Sequence, residues 1–252
     1  MVASFIQRVS GFGFGIFVMM FFPYILPTFG ESITLSGLLA GTTSLIIAVR
    51  NWRYIRWNRI GLLLLTNVAV SYVAINFMAE LANATLKKGL GVTLIVIALY
   101  FYWGAAAIRR TAASTRLQKE DIADRSSGQT LPRFHHHRSI QALMGSISGI
   151  TGGMFAMPGP PIVLYCINAF VHKQEYIATL QTLFCCSNIF YTLFRARVGF
   201  FTEHTFHYAA IGLLGLFVGT WLGARLFEHI SGPMLKRIVY GMMLVSGVVA
   251  LC

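Results

Sequence analysis

Charged side chains are scarce in this sequence. Asp, Glu, Lys and Arg make up 11% of its 252 residues, against about 25% in an ordinary soluble domain. A soluble protein needs polar side chains to cover its outside, whereas 56% of this chain is hydrophobic. The shortage excludes most soluble folds and predicts that lipid surrounds the protein.

Acidic residues are the scarcer of the two signs. Eight Asp and Glu stand against 20 Lys and Arg, which gives a formal net charge of +12. In a soluble chain this excess would suggest a nucleic-acid partner. Here the basic residues form short clusters between long uncharged segments, which is typical of the cytosolic loops of polytopic membrane proteins. The charge therefore predicts membrane topology, with no nucleic-acid partner.

Motifs for metal binding and catalysis are missing. The four cysteines show no CxxC or Cys/His spacing, and we interpret them as packing residues. The three adjacent histidines, His135 to His137, lie in a polar stretch without a second ligand cluster. No Ser/His/Asp or Cys/His arrangement can be picked out. We predict a protein without enzyme activity, metal or cofactor.

Long segments without charged residues lie between the basic clusters. A bilayer-crossing helix needs about 20 mostly apolar residues. The first candidate lacks the basic region and cleavage site of a signal peptide, so we expect it to be retained. The sequence predicts an all-α polytopic membrane protein with about eight transmembrane segments: residues 9–30, 32–49, 60–79, 89–108, 139–172, 176–194, 204–224 and 238–252.

The fifth segment is too long for one crossing helix. Its 34 residues would extend about 51 Å as a straight helix. Glycines at 149, 152 and 153 favour non-helical backbone, and prolines at 158, 160 and 161 remove donors. We predict that the segment bends, breaks or re-enters. Whether it crosses the membrane once or twice stays open.

The distribution of Lys and Arg favours a cytosolic amino terminus, whether the fifth segment crosses the membrane once or twice. A single crossing of the fifth segment puts fourteen basic residues inside and five outside, and a double crossing puts fifteen inside and four outside. Arg50 and Arg195 end matching segments, and with one crossing both mark the cytosolic side. A cytosolic funnel for anions would use the same positions.

A polar run divides the chain into two halves. Residues 109–138 form the expected cytosolic linker between a first unit, 1–108, and a second unit, 139–252. Glycine clusters, prolines, arginine-ended segments and closing Leu-Lys-Lys or Leu-Lys-Arg triplets recur in the same order, offset by about 140 to 149 residues. This recurrence predicts two four-helix repeats, the usual build of secondary transporters, with a binding site between the halves.

Three motifs identify a resemblance that covers nearly the whole chain. They are Gly-Phe-Gly-Phe-Gly at 11–15, the glycine series from Gly145 to Gly153 leading into Met157-Pro158, and the stretch from Leu180 to Asn188. Together they resemble the TauE/SafE sulfite exporter family. The resemblance implies a multi-pass protein of the bacterial inner membrane that moves small anions, with sulfite and organosulfonates such as sulfoacetate among the family's proposed substrates.

Backbone amides and polar side chains inside the spans are the candidate site. Broken helix ends present free N–H groups that favour anions, whereas the alternative role of the glycines is close helix packing. For the polar side chains, with Ser44, Asn67 and Ser71 as further positions, the alternative is hydrogen bonding between helices. The candidate substrate-binding residues are Gly11, Gly13, Gly15, Thr42, Thr43, Gly152, Gly153, Met157, Pro158, Gly159, Gln181 and Asn188. Arg8, Arg50 and Arg195 are candidates for attracting the anion, although Arg8 could instead snorkel to the cytosolic interface.

The acids lie at predicted span ends or in loops, so the sequence shows no buried carboxylate for a proton relay. A membrane potential favours anion exit by about 2.3 kcal/mol per charge at 100 mV. We predict export of a small anion by alternating access, driven at least partly by this potential. A passive anion channel and an importer of a related sulfur-containing anion stay open, as does the oligomeric state, a homodimer included.

Overall fold

The structure is a computed structural model that describes residues 3–4, 7, 13–99, 138–170, 172–226 and 247–250. These ranges hold helices and connecting turns, and no strand occurs in them. The all-α prediction is therefore confirmed for the described part of the chain. Most of the predicted linker and of the last predicted segment lies outside these residues.

The described helices follow one another through short connections. Two short 3₁₀ turns, Trp52–Tyr54 and Trp57–Arg59, join the third helix to the fourth. The helices are α1 (Phe14–Met19), α2 (Phe22–Ile25), α3 (Phe29–Arg50), α4 (Gly61–Ala79), α5 (83–99), α6 (Arg138–Phe155), α7 (Gly159–Ala169), α8 (Lys173–Arg197) and α9 (Glu203–Leu226).

Three described helices are long and apolar enough to cross a membrane. They are α3, α4 and the part of α8 from Gln174 to Arg197. Shorter apolar helical stretches run over Phe14–Ile25 and Thr205–Val218. These elements match predicted segments, whereas the expected total of eight crossing helices goes beyond what the described residues contain.

The first predicted segment is broken rather than one continuous helix, which agrees with the prediction of broken helices at the glycine clusters. The chain turns between α1 and α2, and Pro23 lies in the first turn of α2. Leu26 is extended, with φ −92° and ψ 148°, because the ring of the following Pro27 disfavours helical backbone before it. Thr28 then caps α3, since its Oγ1 accepts a hydrogen bond from the Glu31 N–H at 3.2 Å.

The fifth segment breaks at Ala156, just before the prolines. Gly149, Gly152 and Gly153 lie inside α6, so the expectation of non-helical backbone at these glycines is wrong, because they pack closely against α4 and α8 as helical residues. Ala156, between α6 and α7, has a left-handed φ of 57°, and prolines occupy the first turn of α7. Near the other end of this hairpin, Gln141 donates to the Tyr165 hydroxyl at 2.8 Å. Tyr165 in turn donates to the Arg59 carbonyl at 3.0 Å. The hairpin therefore starts and finishes at the same end of the bundle, which is re-entry.

The helices α3 and α8 run in opposite directions. Along α3 from Gly41 to Ile33, the neighbours on α8 pass from Asn188 to Arg195. These two helices are the matching segments of the predicted repeat. The helices α4 and α6 run side by side in the same direction, because Gly145 contacts Thr66 while Gly153 contacts Ala74.

The direction of α8 changes which basic residues share a side. We call the end that carries Arg50, Arg53, Arg56, Arg59 and Arg138 the arginine end, and the end that carries Glu31, Glu80 and Glu203 the acidic end. Arg56 binds Glu175 at 2.6 Å, so α8 begins at the arginine end. Arg195 and Arg197 therefore lie towards the acidic end. Of the two alternatives left open for the fifth segment, the double crossing fits this geometry, since Arg50 and Arg195 lie towards opposite ends of the bundle.

Candidate anion site

A cavity lies where the glycine motif of the first half meets the hairpin tip of the second. It is small, with a cavity volume of about 30 Å³. Apolar walls alternate with a few polar groups, as in many binding sites for small molecules. The lining residues are Gln7, Gly13, Phe14, Gly15, Ile16, Ala40, Ser44, Ala156, Met157, Pro158, Gly159, Phe184 and Asn188.

Glycine is needed on the first-half wall of the cavity. Gly13 caps α1 with a φ of 102°, a conformation that other residues rarely adopt. A Cβ on Gly15 would collide with the carbonyl oxygen of Ala156. The two motifs are thus in direct backbone contact, and the close approach requires the missing side chain.

The opposite wall is the beginning of α7. Gly159 is its first residue and carries an N–H group, whereas Pro160 and Pro161 carry none. The aligned peptide dipoles place a partial positive charge of about half a unit at this end of the helix. An anion in the cavity would be stabilised by this wall.

Amide and hydroxyl side chains supply the polar groups of the cavity. Gln7 is 2% exposed, and its Nε2 donates to Ser44 Oγ at 2.9 Å and to Gln181 Oε1 at 3.4 Å. The Gln7 Oε1 is buried without a hydrogen-bond partner. Asn188 is buried and donates from Nδ2 to the Phe184 carbonyl at 2.8 Å. These groups come from both halves of the chain.

A buried hydrogen-bond network holds the hairpin tip in place. Ser148 donates to the Pro158 carbonyl at 2.8 Å and accepts from Asn67 Nδ2 at 3.0 Å. Ser187 and Tyr191 each donate to Asn67 Oδ1 at 2.9 Å. The network joins α4, α6 and α8 to the residue that precedes α7. It therefore positions the cavity wall without lining the cavity.

Arg195 is a buried positive charge beside this network. Its side chain is fully buried, and no carboxylate among the described residues lies within ion-pair distance. Its Nη2 donates to the Gly152 and Gly153 carbonyls at 2.7 and 3.0 Å, while Nη1 donates to Ile33 at 2.9 Å. The guanidinium lies 5.5 Å from the centre of the Tyr191 ring. Backbone dipoles and an aromatic face hold the charge.

The burial of Arg195 contradicts its interpretation as a topology-determining residue at an aqueous helix end. Arg50, its counterpart in the predicted repeat, is exposed and fits that interpretation. The two arginines differ in the backbone groups near their side chains. Glycine carbonyls of α6 accept hydrogen bonds from the Arg195 guanidinium and so replace water around it.

The acids are not all outside the bundle interior, so that expectation is also wrong. Glu31 is 4% exposed, and its Oε1 accepts a hydrogen bond from Thr202 at 2.8 Å. Its position at the first turn of a helix explains why the sequence indicated a span end. The residues that lead into α9 pack over this turn and bury Glu31. Hydropathy along the chain cannot show that another segment buries a residue at a helix end.

The structure brings half of the predicted binding residues to one place. Gly13, Gly15, Met157, Pro158, Gly159 and Asn188 line the cavity. Gln181 accepts a hydrogen bond from the lining residue Gln7, and Ser44 also lines the cavity. Gln7 was missed, although a glutamine within an apolar stretch just before a glycine motif is the signal that could have found it.

Other predicted residues have different contacts. Thr42 and Thr43 donate to the Leu38 and Leu39 carbonyls of their own helix. Gly152 packs against Tyr191, and Gly153 packs against Ser71 and Ala74, which is the packing alternative. Gly11 and Arg8 lie outside the described residues.

Comparison with known families adds to this geometry. The sequence profile of the family described as sulfite exporter TauE/SafE matches residues 1–250. The chain belongs to this family. Its match spans both halves, so the glycine motif and the hairpin are parts of one transporter-family domain, and the chain is a membrane protein.

Two named bacterial proteins are similar to most of this chain. The "Probable sulfite/organosulfonate exporter TauE" of Cupriavidus necator is 23% identical over 256 residues, covering 97% of this chain and 88% of the relative. The "Probable inner membrane transporter protein TsaS" of Comamonas testosteroni is 23% identical over 212 residues, covering 83% of this chain and 78% of the relative. No solved structure is significantly similar.

Proposed function

We propose that this protein exports a small sulfur-containing anion, sulfite or an organosulfonate, across the bacterial inner membrane. The observation that carries the proposal is the cavity between the two halves, where the beginning of α7 and buried amide side chains meet. The names of both relatives support this function, since one is called a sulfite/organosulfonate exporter and the other an inner membrane transporter.

The polar groups of the cavity suit an oxyanion. Sulfite and sulfonate groups present several oxygen atoms that accept hydrogen bonds. The Gly159 N–H and the Asn188 Nδ2, which has a second hydrogen beside the one it donates to the Phe184 carbonyl, are donors on different walls. No carboxylate is among the lining residues that the structure describes, so negative charge is not opposed at short range. The cavity is therefore chemically matched to an anion more than to a cation.

Arg195 supplies the net charge that the cavity itself lacks. Arg195 Nη1 and Asn188 Oδ1 both lie within 3.3 Å of the position that a Cβ on Gly37 would occupy. A lining residue and the buried guanidinium, both on α8, thus face the same glycine of α3. In a low-dielectric interior such a charge attracts an anion more strongly than in water. We assign Arg195 the role of drawing the anion towards the cavity.

The two halves are inverted repeats, and the cavity between them opens alternately to the two sides of the membrane. The antiparallel direction of α3 and α8 supports opposite orientations for units 1–108 and 139–252, rather than two copies that face the same way. The arginine end faces the cytosol, with the linker on that side. Rocking of one unit against the other around the cavity exposes the anion first to one side and then to the other.

Counterflow in proteoliposomes tests this function. Purified protein is reconstituted into vesicles loaded with unlabelled sulfite, and the uptake of ³⁵S-labelled sulfite is followed. A carrier exchanges labelled for unlabelled anion without net flux, so we expect transient accumulation of the label. Parallel vesicles loaded with sulfoacetate or chloride define the substrate class. Conductance without counterflow would show a channel, and absence of any anion-dependent uptake would refute the proposal.

A further inference from the structure

Gln7 offers the cavity a hydrogen-bond acceptor and no donor. It lines the cavity and is 2% exposed. Both hydrogens of its Nε2 are in use, since one is donated to Ser44 Oγ at 2.9 Å and the other to Gln181 Oε1 at 3.4 Å. Its Oε1 is buried and has no hydrogen-bond partner. Because a buried acceptor without a donor is costly, this oxygen marks a place where a ligand would supply a hydrogen.

The neighbouring glutamine fixes the orientation of the Gln7 amide. Gln181 turns its side-chain oxygen towards Gln7, and a carbonyl oxygen accepts hydrogen bonds but cannot donate them. The Gln7 atom that faces this oxygen must therefore be the nitrogen. The reversed amide would place two oxygen atoms against each other, so the atom that Gln7 leaves for a ligand is Oε1.

The other polar groups around the cavity can donate. Ser44 Oγ accepts from Gln7, and its own hydroxyl hydrogen has no acceptor among the residues that the structure describes. Asn188 Nδ2 has a second hydrogen beside the one it gives to the Phe184 carbonyl. The Gly159 N–H is at the beginning of α7. These groups provide three donors, and Gln7 provides one acceptor.

A singly protonated oxyanion has the complementary pattern of groups. Hydrogensulfite carries a hydroxyl, which donates, and two further oxygen atoms on sulfur, which accept. Sulfite, sulfate and simple sulfonates carry accepting oxygen atoms and no hydroxyl. Any of these oxygen atoms placed at Gln7 Oε1 would leave that acceptor unpaired, and a site built to bind a hydroxyl group rejects an analogue that lacks it.

Charge and size favour the same species. No ionisable side chain is among the lining residues that the structure describes. Arg195, which shares the neighbour Gly37 with the lining residue Asn188, contributes a single positive charge. This charge balances a monoanion, whereas a dianion would keep one buried negative charge uncompensated. The cavity volume of about 30 Å³ also favours a small inorganic anion over an organosulfonate with a carbon chain.

Resting on the proposed function, we propose that the cavity selects hydrogensulfite, the singly protonated form of sulfite, and that Gln7 Oε1 is the atom that recognises its proton. The anion takes this proton from water on the cytosolic side and keeps it in the cavity, so no bond to hydrogen forms or breaks on the protein. Each exported anion then carries one negative charge, and the membrane potential favours its exit.

Methanesulfinate is the matched probe for this proposal. It is hydrogensulfite with a methyl group in place of the hydroxyl, and it has the same single charge and pyramidal sulfur. Binding to the purified wild type is measured by isothermal calorimetry at weakly acidic pH, where sulfite is mostly protonated. We expect methanesulfinate to bind at least about tenfold more weakly than sulfite, because it leaves Gln7 Oε1 unpaired. Equal or tighter binding of methanesulfinate overturns the proposal.

Gln7→Leu removes the acceptor and keeps a side chain of comparable size. The measured quantity is the ratio of the two dissociation constants, methanesulfinate over sulfite, which cancels any general loss of affinity in the variant. We expect this ratio to fall to within about twofold of one in Q7L. Gln174→Leu, at an exposed glutamine of α8, is the matched control and should keep the wild-type ratio. A wild-type ratio in Q7L overturns the proposal.

A pH series on the wild type keeps the proposal testable if Q7L does not fold. The apparent Kd of sulfite should rise about tenfold per pH unit above the pKa of the anion, since only the protonated fraction binds. Methanesulfinate does not titrate near neutral pH, so its Kd should stay constant and show that the protein does not cause the change. A sulfite affinity that is constant or increases as the pH rises overturns the proposal.

The proposed function fails in a different way. Absence of sulfite counterflow in wild-type vesicles would refute sulfite export itself. Sulfite counterflow together with equal binding of sulfite and methanesulfinate would refute only the selection of hydrogensulfite.

Discussion

Gly15 lies against the carbonyl group of Ala156, and this contact joins the first glycine motif to the tip of the α6–α7 hairpin. Ala156 has a left-handed backbone conformation at the break between the two helices, and this conformation sets the direction of its carbonyl group. The wall of the cavity in the first half and the wall in the second half are thus set by one backbone contact.

Gly15→Val tests this contact. The added carbons have no room against the carbonyl oxygen, and overpacking of this kind costs about 1–3 kcal/mol. We expect a lower Tm in detergent and loss of sulfite counterflow. Gly215→Ala is the control, because a Cβ at position 215 meets no atom within 4 Å. Equal Tm and counterflow in G15V and the wild type would contradict the close approach.

Substitutions of Arg195 test the attraction of the anion. Arg195→Met removes the charge, and we expect at least about tenfold weaker sulfite binding, or about 1.4 kcal/mol. Arg195→Lys keeps the charge but loses the forked geometry that reaches several carbonyls, so it should bind with intermediate affinity. Binding is measured by isothermal calorimetry. Arg50→Met, at an exposed arginine, is the control, and unchanged affinity in R195M would remove Arg195 from the site.

Ser148→Ala tests whether the buried network positions the cavity wall. The change removes the Ser148 partner of the Pro158 carbonyl and of Asn67 Nδ2, at a cost of about 1–3 kcal/mol for each buried group left unpaired. We expect a lower Tm together with weaker sulfite binding. Thr151→Val serves as the control, since Thr151 bonds to a carbonyl of its own helix. If S148A and T151V were equally stable, the network would have no positioning role.

Asn188 and Thr42 separate the cavity from the rest of the predicted polar set. Asn188→Ala removes a lining amide, and we expect about tenfold weaker sulfite binding, since a lost hydrogen bond to a charged group costs about 1.5–3 kcal/mol. Thr42→Ala removes a hydroxyl that bonds within α3, so affinity should stay within about twofold. A larger effect from T42A than from N188A would place the site elsewhere on α3.

Gly153 is a poor position for such a test, although the sequence favours it. A side chain there meets Ser71 and Ala74 across the interface with α4. A leucine would therefore disturb helix packing, and lost transport would not report on binding. Gly159, at the beginning of α7, is the hairpin glycine that lines the cavity.

Local backbone chemistry made parts of the fold predictable. Prolines at 158, 160 and 161 indicated the break between α6 and α7, because proline disfavours continuous helix. The glycines before them did not mark it, since they lie inside α6. The same chemistry selected Gly13 and Pro158 for the cavity. These predictions depended on a few neighbouring residues and needed no knowledge of how helices pack.

Features that depend on tertiary contacts could not be predicted in this way. The direction of α8 depends on whether the hairpin crosses or returns, and hydropathy is the same in both cases. The burial of Arg195 depends on carbonyls more than 40 residues away along the chain, at Gly152 and Gly153. Glu31 is buried because α9 begins beside it. The errors over Arg195 and Glu31 both concerned a charged residue at a helix end whose surroundings come from other helices.

The return of the α6–α7 hairpin to the arginine end has a consequence for biogenesis. His172 and the amino-terminal end of α8 stay on the side where α6 begins, so no polar connection within the hairpin has to be translocated. The hairpin can enter the bilayer as one unit beside the already inserted α4. The glycines of α6 then pack against α4. Assembly of the cavity then becomes a late event in synthesis, completed when the second half docks onto the first.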